Sequence, residues 1–199
     1  LRNLGAELRI VEVKPYKDPG NYQHISRRLA EELQAKGEGS VIWANQFDNT
    51  ANYQFHAKTT AREIYDQLDG KVDGFTCAIG TGGTLAGTSV GLKELNPDIK
   101  IACTDPQGAT MYRYFKDSVL EVTGDPSETE GIGQARVTKN VEACLIDMAY
   151  HISDKEAFEL LYKLIKTEGL WLGTSWGVKI AGAMQMAKER GPGKKIVTS

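Results

Sequence analysis

Segments typical of β-strands alternate with segments typical of amphipathic helices along most of this 199-residue chain. Runs rich in apolar and β-branched residues predict strands over residues 6–13, 41–44, 72–79, 99–104 and 195–198. Helices are predicted over residues 25–37, 53–68, 82–95 and 175–190, and a further helix begins at the capping box Ser153–Glu156. This alternation predicts an α/β fold, in which a mainly parallel, twisted sheet carries helices on both faces. We expect residues 1–199 to form a single α/β unit.

The charge and cysteine content exclude several classes of function. Lys and Arg number 24 against 26 Asp and Glu, so the net charge is −2, and no nucleic-acid or membrane partner held by a positive surface is expected. No apolar run reaches the roughly 18 residues that a membrane-spanning helix needs. The three cysteines, Cys77, Cys103 and Cys144, form no C-x-x-C pair, which predicts reduced thiols in the cytoplasm without a disulfide or a metal site.

The two ends of the sequence have the pattern of interrupted elements. Leu1–Gly5 is typical of the last turn of a helix with Gly5 as its cap, and Lys194–Ser199 stops within a predicted strand. We therefore expect the chain to be a piece of a longer protein.

A glycine-rich turn, Gly80-Thr81-Gly82-Gly83-Thr84, follows a predicted strand and begins a predicted helix. Backbone N–H groups and the helix dipole favour an anion at such a point, and glycine lets the backbone approach it closely. Leu85 stands where a dinucleotide fingerprint needs glycine, and no lysine follows until Lys93, which excludes a Walker A loop. Two interpretations remain: a site for a single phosphate, or a tight turn whose glycines serve only packing.

A second motif, Gly173–Gly177, fits the G-x-S-x-G pattern of a hydrolase nucleophile. Such a serine must follow a strand and precede its acid and histidine, yet the preceding segment has a helical pattern and no Asp or His follows Gly177. A serine hydrolase is therefore disfavoured. His24 and His151 have no metal-ligand spacing, and His56 is interpreted as a hydrogen-bonded helix residue near the glycine-rich turn.

Several segments together resemble the cysteine synthase (O-acetylserine sulfhydrylase) and cystathionine β-synthase family of fold type II pyridoxal-phosphate enzymes. The resemblance extends over nearly the whole chain in the family's order, and the segments that carry it are Gln46–Asn52, His56, Lys58–Thr60, Glu63–Ile64, Gly80–Thr84, Glu130–Gln134, Glu168–Leu170 and Gly173–Ser175. It implies that the sheet forms the larger part of a fold similar to that of the tryptophan synthase β-subunit.

The resemblance also implies a cofactor, a reaction and site residues. Gly80, Thr81, Gly82, Gly83 and Thr84 would bind the phosphate of pyridoxal 5'-phosphate, and Gly131 would lie beside the cofactor ring and the substrate. The reaction would eliminate acetate from O-acetyl-L-serine and add sulfide, which forms L-cysteine, in a homodimeric protein. Cysteine desulfhydrase activity, cystathionine β-synthase-like activity and a non-catalytic phosphate-binding fragment are the alternatives.

Parts of the family's machinery have no counterpart in these residues. The Schiff-base lysine and the substrate-carboxylate loop lie N-terminal to the region that Leu1 matches, and the serine that binds the pyridine nitrogen lies beyond Ser199. No catalytic residue is therefore assigned, and residues 1–199 alone are expected to be inactive. Trp176 and Lys179 replace a small residue and an asparagine of the family, and Ala135 replaces a glycine, which is expected to alter the pocket wall or an interface.

Overall fold

The computed structural model describes residues 1–37 and 39–199, which divide into two compact units, residues 1–45 and 46–199. The first unit begins with a 3-10 turn, Arg2–Leu4, which ends at Gly5 in the left-handed conformation. Its one described α-helix, α1, extends over Tyr22–Lys36, where the Asn21 side chain caps the first turn and Gly37 ends the last. The expected helix in this region is confirmed.

The strands expected over residues 6–13 and 41–44 were wrong. In the described part of the chain these segments make no β-ladder, and the side chains of Ile10 and Ile42 are exposed. Alternating apolar residues favour an extended conformation, but a strand exists only where a neighbouring strand accepts and donates its backbone hydrogen bonds. The assignment of residues 1–199 to a single α/β unit stays a prediction.

The second unit is built around a four-stranded parallel sheet, with strands ordered β3-β2-β1-β4 in its described residues. In chain order its elements are α2 Ala51–Lys58, α3 Thr60–Gln67, β1 Gly74–Cys77, α4 Gly83–Leu95, β2 Lys100–Pro106, α5 Met111–Asp117, β3 Met148–Ile152, α6 Asp154–Glu168, α7 Thr174–Arg190 and β4 Ile196–Thr198. Because parallel strands need crossover connections, helices lie between them and cover the sheet.

Both faces of this sheet are buried, as the side chains of β2 demonstrate. Ile101 and Cys103 belong to an apolar cluster that includes Leu85 of α4, whereas Ala102 belongs to a second cluster with Val178 of α7. Successive side chains of a strand point to opposite faces, so the two clusters lie on the two sides of the sheet. The predicted α/β fold, a parallel sheet with helices on both faces, is confirmed.

Two local differences from the sequence expectation have physical causes. The helix expected over residues 53–68 is divided into α2 and α3 at Thr59, whose hydroxyl donates to the Phe55 carbonyl at 2.8 Å. That side-chain bond competes with the helical ladder and, at a β-branched residue, favours a break. Strand β3 was not predicted, since Tyr150 and His151 give it no clear alternation.

Candidate functional site

The glycine-rich turn lies where β1 ends and α4 begins. Gly82 is the N-cap of α4, with a φ of 93°, and its carbonyl accepts the first helical hydrogen bond from the Ala86 N–H. The N–H groups of the first helical turn have no intrahelical acceptor. Among the described residues only that of Gly83 donates to a side chain, the Thr81 hydroxyl, at 3.2 Å. The turn therefore presents unpaired backbone donors at the positive end of a 13-residue helix.

Side chains from distant segments hold the turn in place. The Asn52 amide donates to the Thr81 hydroxyl at 3.0 Å, and the Thr138 hydroxyl donates to the Thr81 carbonyl at 2.8 Å. The Gln134 amide donates to the Gly80 carbonyl at 2.9 Å. Two segments, α2 and residues 134–138, thus hold the Thr81 hydroxyl and the carbonyls of Gly80 and Thr81, so the donors of the turn are preorganised.

The segments that supply these side chains are themselves joined by an ion pair. Arg136 binds both carboxylate oxygens of Asp48, at 2.9 and 3.1 Å, and the Lys139 N–H donates to the same carboxylate at 3.0 Å. The Arg136 hydrogen bond holds the pKa of Asp48 below its usual range. Fully buried Asn140 adds bonds to two carbonyls of the Asp48 segment. This network rigidifies the frame around the turn.

Close packing against neighbouring residues explains why two positions of the turn are glycine. A Cβ at Gly82 would lie 2.6 Å from the Val141 side chain, and a Cβ at Gly83 would overlap the Asn52 amide. Packing alone therefore requires glycine at these positions, and the glycines by themselves do not identify a ligand. Gly131 is different: its φ is 81°, and nothing lies within 4 Å of the position that its Cβ would take. The space beside Gly131 belongs to an open cavity.

That cavity, of about 300 Å³, brings most of the predicted site residues together. Its lining residues are Cys77, Ala78, Gly80, Thr81, Gly82, Thr84, Leu85, Gly131, Ile132, Lys179 and Ser199. Of the predicted residues only Gly83 is absent from the lining, because it faces Asn52. A larger cavity of about 660 Å³ between α2, α3 and α4 includes none of the predicted residues.

The electrostatics of the smaller cavity favour an anion. Its described lining contains no acidic side chain, one cation, Lys179, and the unpaired donors of α4. Burial raises the pKa of the Cys77 thiol, so this group is neutral at physiological pH. A compact ligand with a phosphate group fits this donor set and this volume, which lies at the low end for ligand pockets.

The other candidate residues do not form a second centre. His56 Nδ1 lies 2.9 Å from the Thr60 hydroxyl and its Nε2 lies 3.4 Å from that of Thr84, while burial lowers the pKa of the imidazole. Ser175 lies in the first turn of α7, which α6 rather than a strand precedes, so the hydrolase geometry is not present. Within residues 1–37 and 39–199, no three His, Cys, Asp or Glu side chains are grouped as metal ligands, and no helix is long and apolar enough to cross a membrane.

Sequence reasoning missed the residues that position the turn. Asn52 and Gln134 belong to segments that carried the family resemblance, but no spacing rule indicated their contacts with the turn. Of the three departures from the family's pattern that were expected to alter the pocket wall or an interface, Lys179 lines the cavity, and Trp176 and Ala135 are not among its lining residues. The position of Lys179 was indicated by the family resemblance, but neither its charge nor its spacing indicated an anion-binding role.

Comparison with known proteins assigns the chain to a family. A family model described as pyridoxal-phosphate dependent enzyme matches residues 1–199. Cysteine synthase 1 of Neurospora crassa is 42% identical over 203 residues, and cysteine synthase of Dictyostelium discoideum is 36% identical over 207. All of this chain is covered in both cases, and the chain spans about half the length of these relatives, 52% and 53%.

A solved structure supports the same relationship. The O-acetylserine dependent cystathionine β-synthase of Helicobacter pylori superposes with a TM-score of 0.70 at 30% identity, over 86% of this chain and 52% of that one. Cystathionine β-synthase of Oryctolagus cuniculus is 35% identical over 198 residues, which cover 99% of this chain and 35% of the relative. The resemblance to cysteine synthases and cystathionine β-synthases is confirmed, and the chain belongs to the family of pyridoxal-phosphate dependent enzymes.

Proposed function

We propose that the full-length protein that carries these residues forms L-cysteine from O-acetyl-L-serine and sulfide by pyridoxal phosphate-dependent β-replacement. The observation that carries the proposal is the cavity at the α4 N-terminus, which combines unpaired backbone donors, a cation and no acidic side chain. The cysteine synthases among the relatives support the choice of reaction.

The residues of this chain bind and orient the cofactor in this proposal. The N–H groups at the start of α4 and the hydroxyls of Thr81 and Thr84 hold the phosphate, while Gly131 leaves space for the ring and the substrate. When bound, pyridoxal phosphate supplies an electron sink for elimination at the β-carbon. The resemblance places the Schiff-base lysine outside these residues, so activity is expected of the full-length protein and not of residues 1–199 alone.

The first experiment measures cofactor binding and cysteine formation by the full-length protein. Thr84→Val removes one hydroxyl that lines the cavity, and Thr88→Val is its matched control, since Thr88 lies one turn later in α4 and its buried hydroxyl has no described partner. A hydrogen bond to a charged phosphate contributes about 1.5–3 kcal/mol, so Thr84→Val should weaken pyridoxal phosphate binding about tenfold or more. Thr88→Val should bind as the wild type does. Equal affinity of the two variants would contradict the assigned phosphate site.

Cystathionine β-synthase-like activity is the second candidate reaction. The solved relative from Helicobacter pylori, described as an O-acetylserine dependent cystathionine β-synthase, favours it. Sulfide and homocysteine, offered in turn with O-acetyl-L-serine, distinguish the two reactions. Faster release of sulfide from cysteine than formation of cysteine would instead indicate a desulfhydrase. Cofactor binding without any turnover by the full-length protein would indicate a non-catalytic phosphate-binding protein.

We also propose a cytoplasmic homodimer. The free thiols of Cys77, Cys103 and Cys144, two of them buried, support a reducing compartment, and the family resemblance supports the dimer. Light scattering of the full-length protein during gel filtration tests the dimer, and a monomeric mass would contradict it.

A further inference from the structure

Lys179 is the one cationic side chain among the described residues that line the candidate cofactor cavity. It lies near the start of α7, and its ammonium group is 4.3 Å from the centroid of the Trp176 ring. This cation–π contact is attractive and restricts where the ammonium can lie. No carboxylate of the described residues forms an ion pair with Lys179 within 4.0 Å, so none of these residues neutralises its charge.

Lys179 and the glycine-rich turn approach the cavity from opposite faces of the sheet. Leu85 and Leu92 of α4 pack in one apolar cluster, and Val178 and Ala181 of α7 pack in the other. The two helices thus bring two independent sources of positive potential to the carboxyl end of β1. An anion bound there is attracted from both sides.

We propose that Lys179 is a second anion-binding group of this cavity and that it increases the preference for a phosphate monoester over an uncharged ligand. The proposal rests on the proposed function for the identity of that ligand, pyridoxal phosphate. By the resemblance, the family's usual residue at this position is an uncharged asparagine, so the ammonium adds a contact to the backbone donors of α4.

The width of the cavity indicates how strongly salt screens the attraction between Lys179 and a bound anion. A sphere of about 300 Å³ is about 8 Å across, which is comparable to the Debye length of about 8 Å at physiological ionic strength. Salt therefore screens the attraction between the Lys179 ammonium and an anion in the same cavity only in part. A charge-assisted contact of this kind corresponds to about a tenfold change in affinity, the lower end of the range for hydrogen bonds to charged groups.

The test compares pyridoxal phosphate with pyridoxal, which lacks only the phosphate. Their affinities for the cofactor-free, full-length protein are measured by equilibrium dialysis. The change of their ratio from one variant to another isolates the contribution of the phosphate, because the ring is shared and the hemiacetal closure of free pyridoxal is the same for every variant. Lys179→Met removes the charge but keeps an apolar stem, and Lys179→Arg keeps the charge. Lys188→Met is the matched control, an exposed lysine in the last turn of the same helix.

Lys179→Met should lower the ratio of the two affinities about tenfold, and the arginine variant should stay within about twofold of the wild type. Lys188→Met should leave the ratio unchanged. An unchanged ratio in Lys179→Met, or an equal loss of affinity for both compounds, would contradict this proposal alone. Borohydride fixation of the cofactor to Lys179 would overturn the ionic role. A wild-type protein that bound neither compound would contradict the proposed function as well.

Discussion

Replacement of Asp105 by asparagine should make the stability of the protein less dependent on pH. Asp105 lies in β2 and is fully buried, and one of its carboxylate oxygens accepts the Tyr112 N–H at 2.9 Å. The other oxygen, Oδ1, has no hydrogen-bond partner among the described residues. Burial raises the pKa of Asp105 from 3.8 to about 7, because the charged form loses its hydration without gaining a cation.

The direction and size of the effect follow from this pKa. A carboxyl group whose pKa is higher in the folded state contributes stability below its unfolded pKa, and that contribution is lost as the pH rises through the folded value. The interval from 3.8 to about 7 corresponds to about 4 kcal/mol in total. Between about pH 5 and pH 8, the stability of wild-type protein relative to Asp105→Asn should fall by about 2–3 kcal/mol, mostly below pH 7.

Urea unfolding followed by tryptophan fluorescence at several pH values measures this difference. Exposed Asp98→Asn is the control for the loss of one negative charge, and its stability should change with pH in parallel with the wild type. A difference between wild type and Asp105→Asn that stays constant from about pH 5 to pH 8 would refute the reasoning, because Asp105 would then titrate alike in the folded and unfolded states.

Four further substitutions are tested by urea unfolding. Gly82→Ala should lower the free energy of unfolding by about 2–4 kcal/mol, because the φ of Gly82 is 93° and an added Cβ would meet Val141. Gly131→Ala should lower it by only about 1–2 kcal/mol of backbone strain, since the space there is open. Equal losses in the two variants would contradict this explanation. Ser153→Ala should cost about 1 kcal/mol, since the Ser153 hydroxyl accepts the Glu156 N–H at 3.2 Å at the start of α6, and no loss would show that this cap is not formed. Asp48→Asn should lower the free energy of unfolding by about 1–2 kcal/mol, because it removes the half-buried ion pair with Arg136. This loss should shrink at low pH, where the wild-type carboxylate is protonated. A loss that is constant with pH would refute the ionic origin.

Much of the fold could be predicted because its determinants are local. The apolar runs at residues 72–79 and 99–104 are typical of strands buried on both faces, and β1 and β2 lie there in parallel register. The capping box at Ser153 marked the start of α6 correctly. The failures at residues 6–13 and 41–44 concern partners rather than propensity, since a pattern within one segment does not specify which strand pairs with it.

The site, like the fold, depends partly on local sequence patterns and partly on contacts between distant segments. The position of Gly80–Thr84 between a strand and a helix could be predicted, and the structure places the turn there. The residues that fix its shape come from segments about 30 to 60 positions away in the chain, such as Asn52 and Thr138, and their contacts exist only in the folded state. Lys179 reaches the cavity from the opposite face of the sheet, which no spacing along the chain could indicate.

The central claim is that the start of α4 holds the phosphate of pyridoxal phosphate, and a crystal structure of the cofactor-loaded, full-length protein tests it most directly. The account predicts phosphate oxygens at hydrogen-bond distance from the backbone N–H groups of residues 82–84, with the ring on the side of Gly131. A phosphate bound at any other place in an ordered structure would contradict the claim.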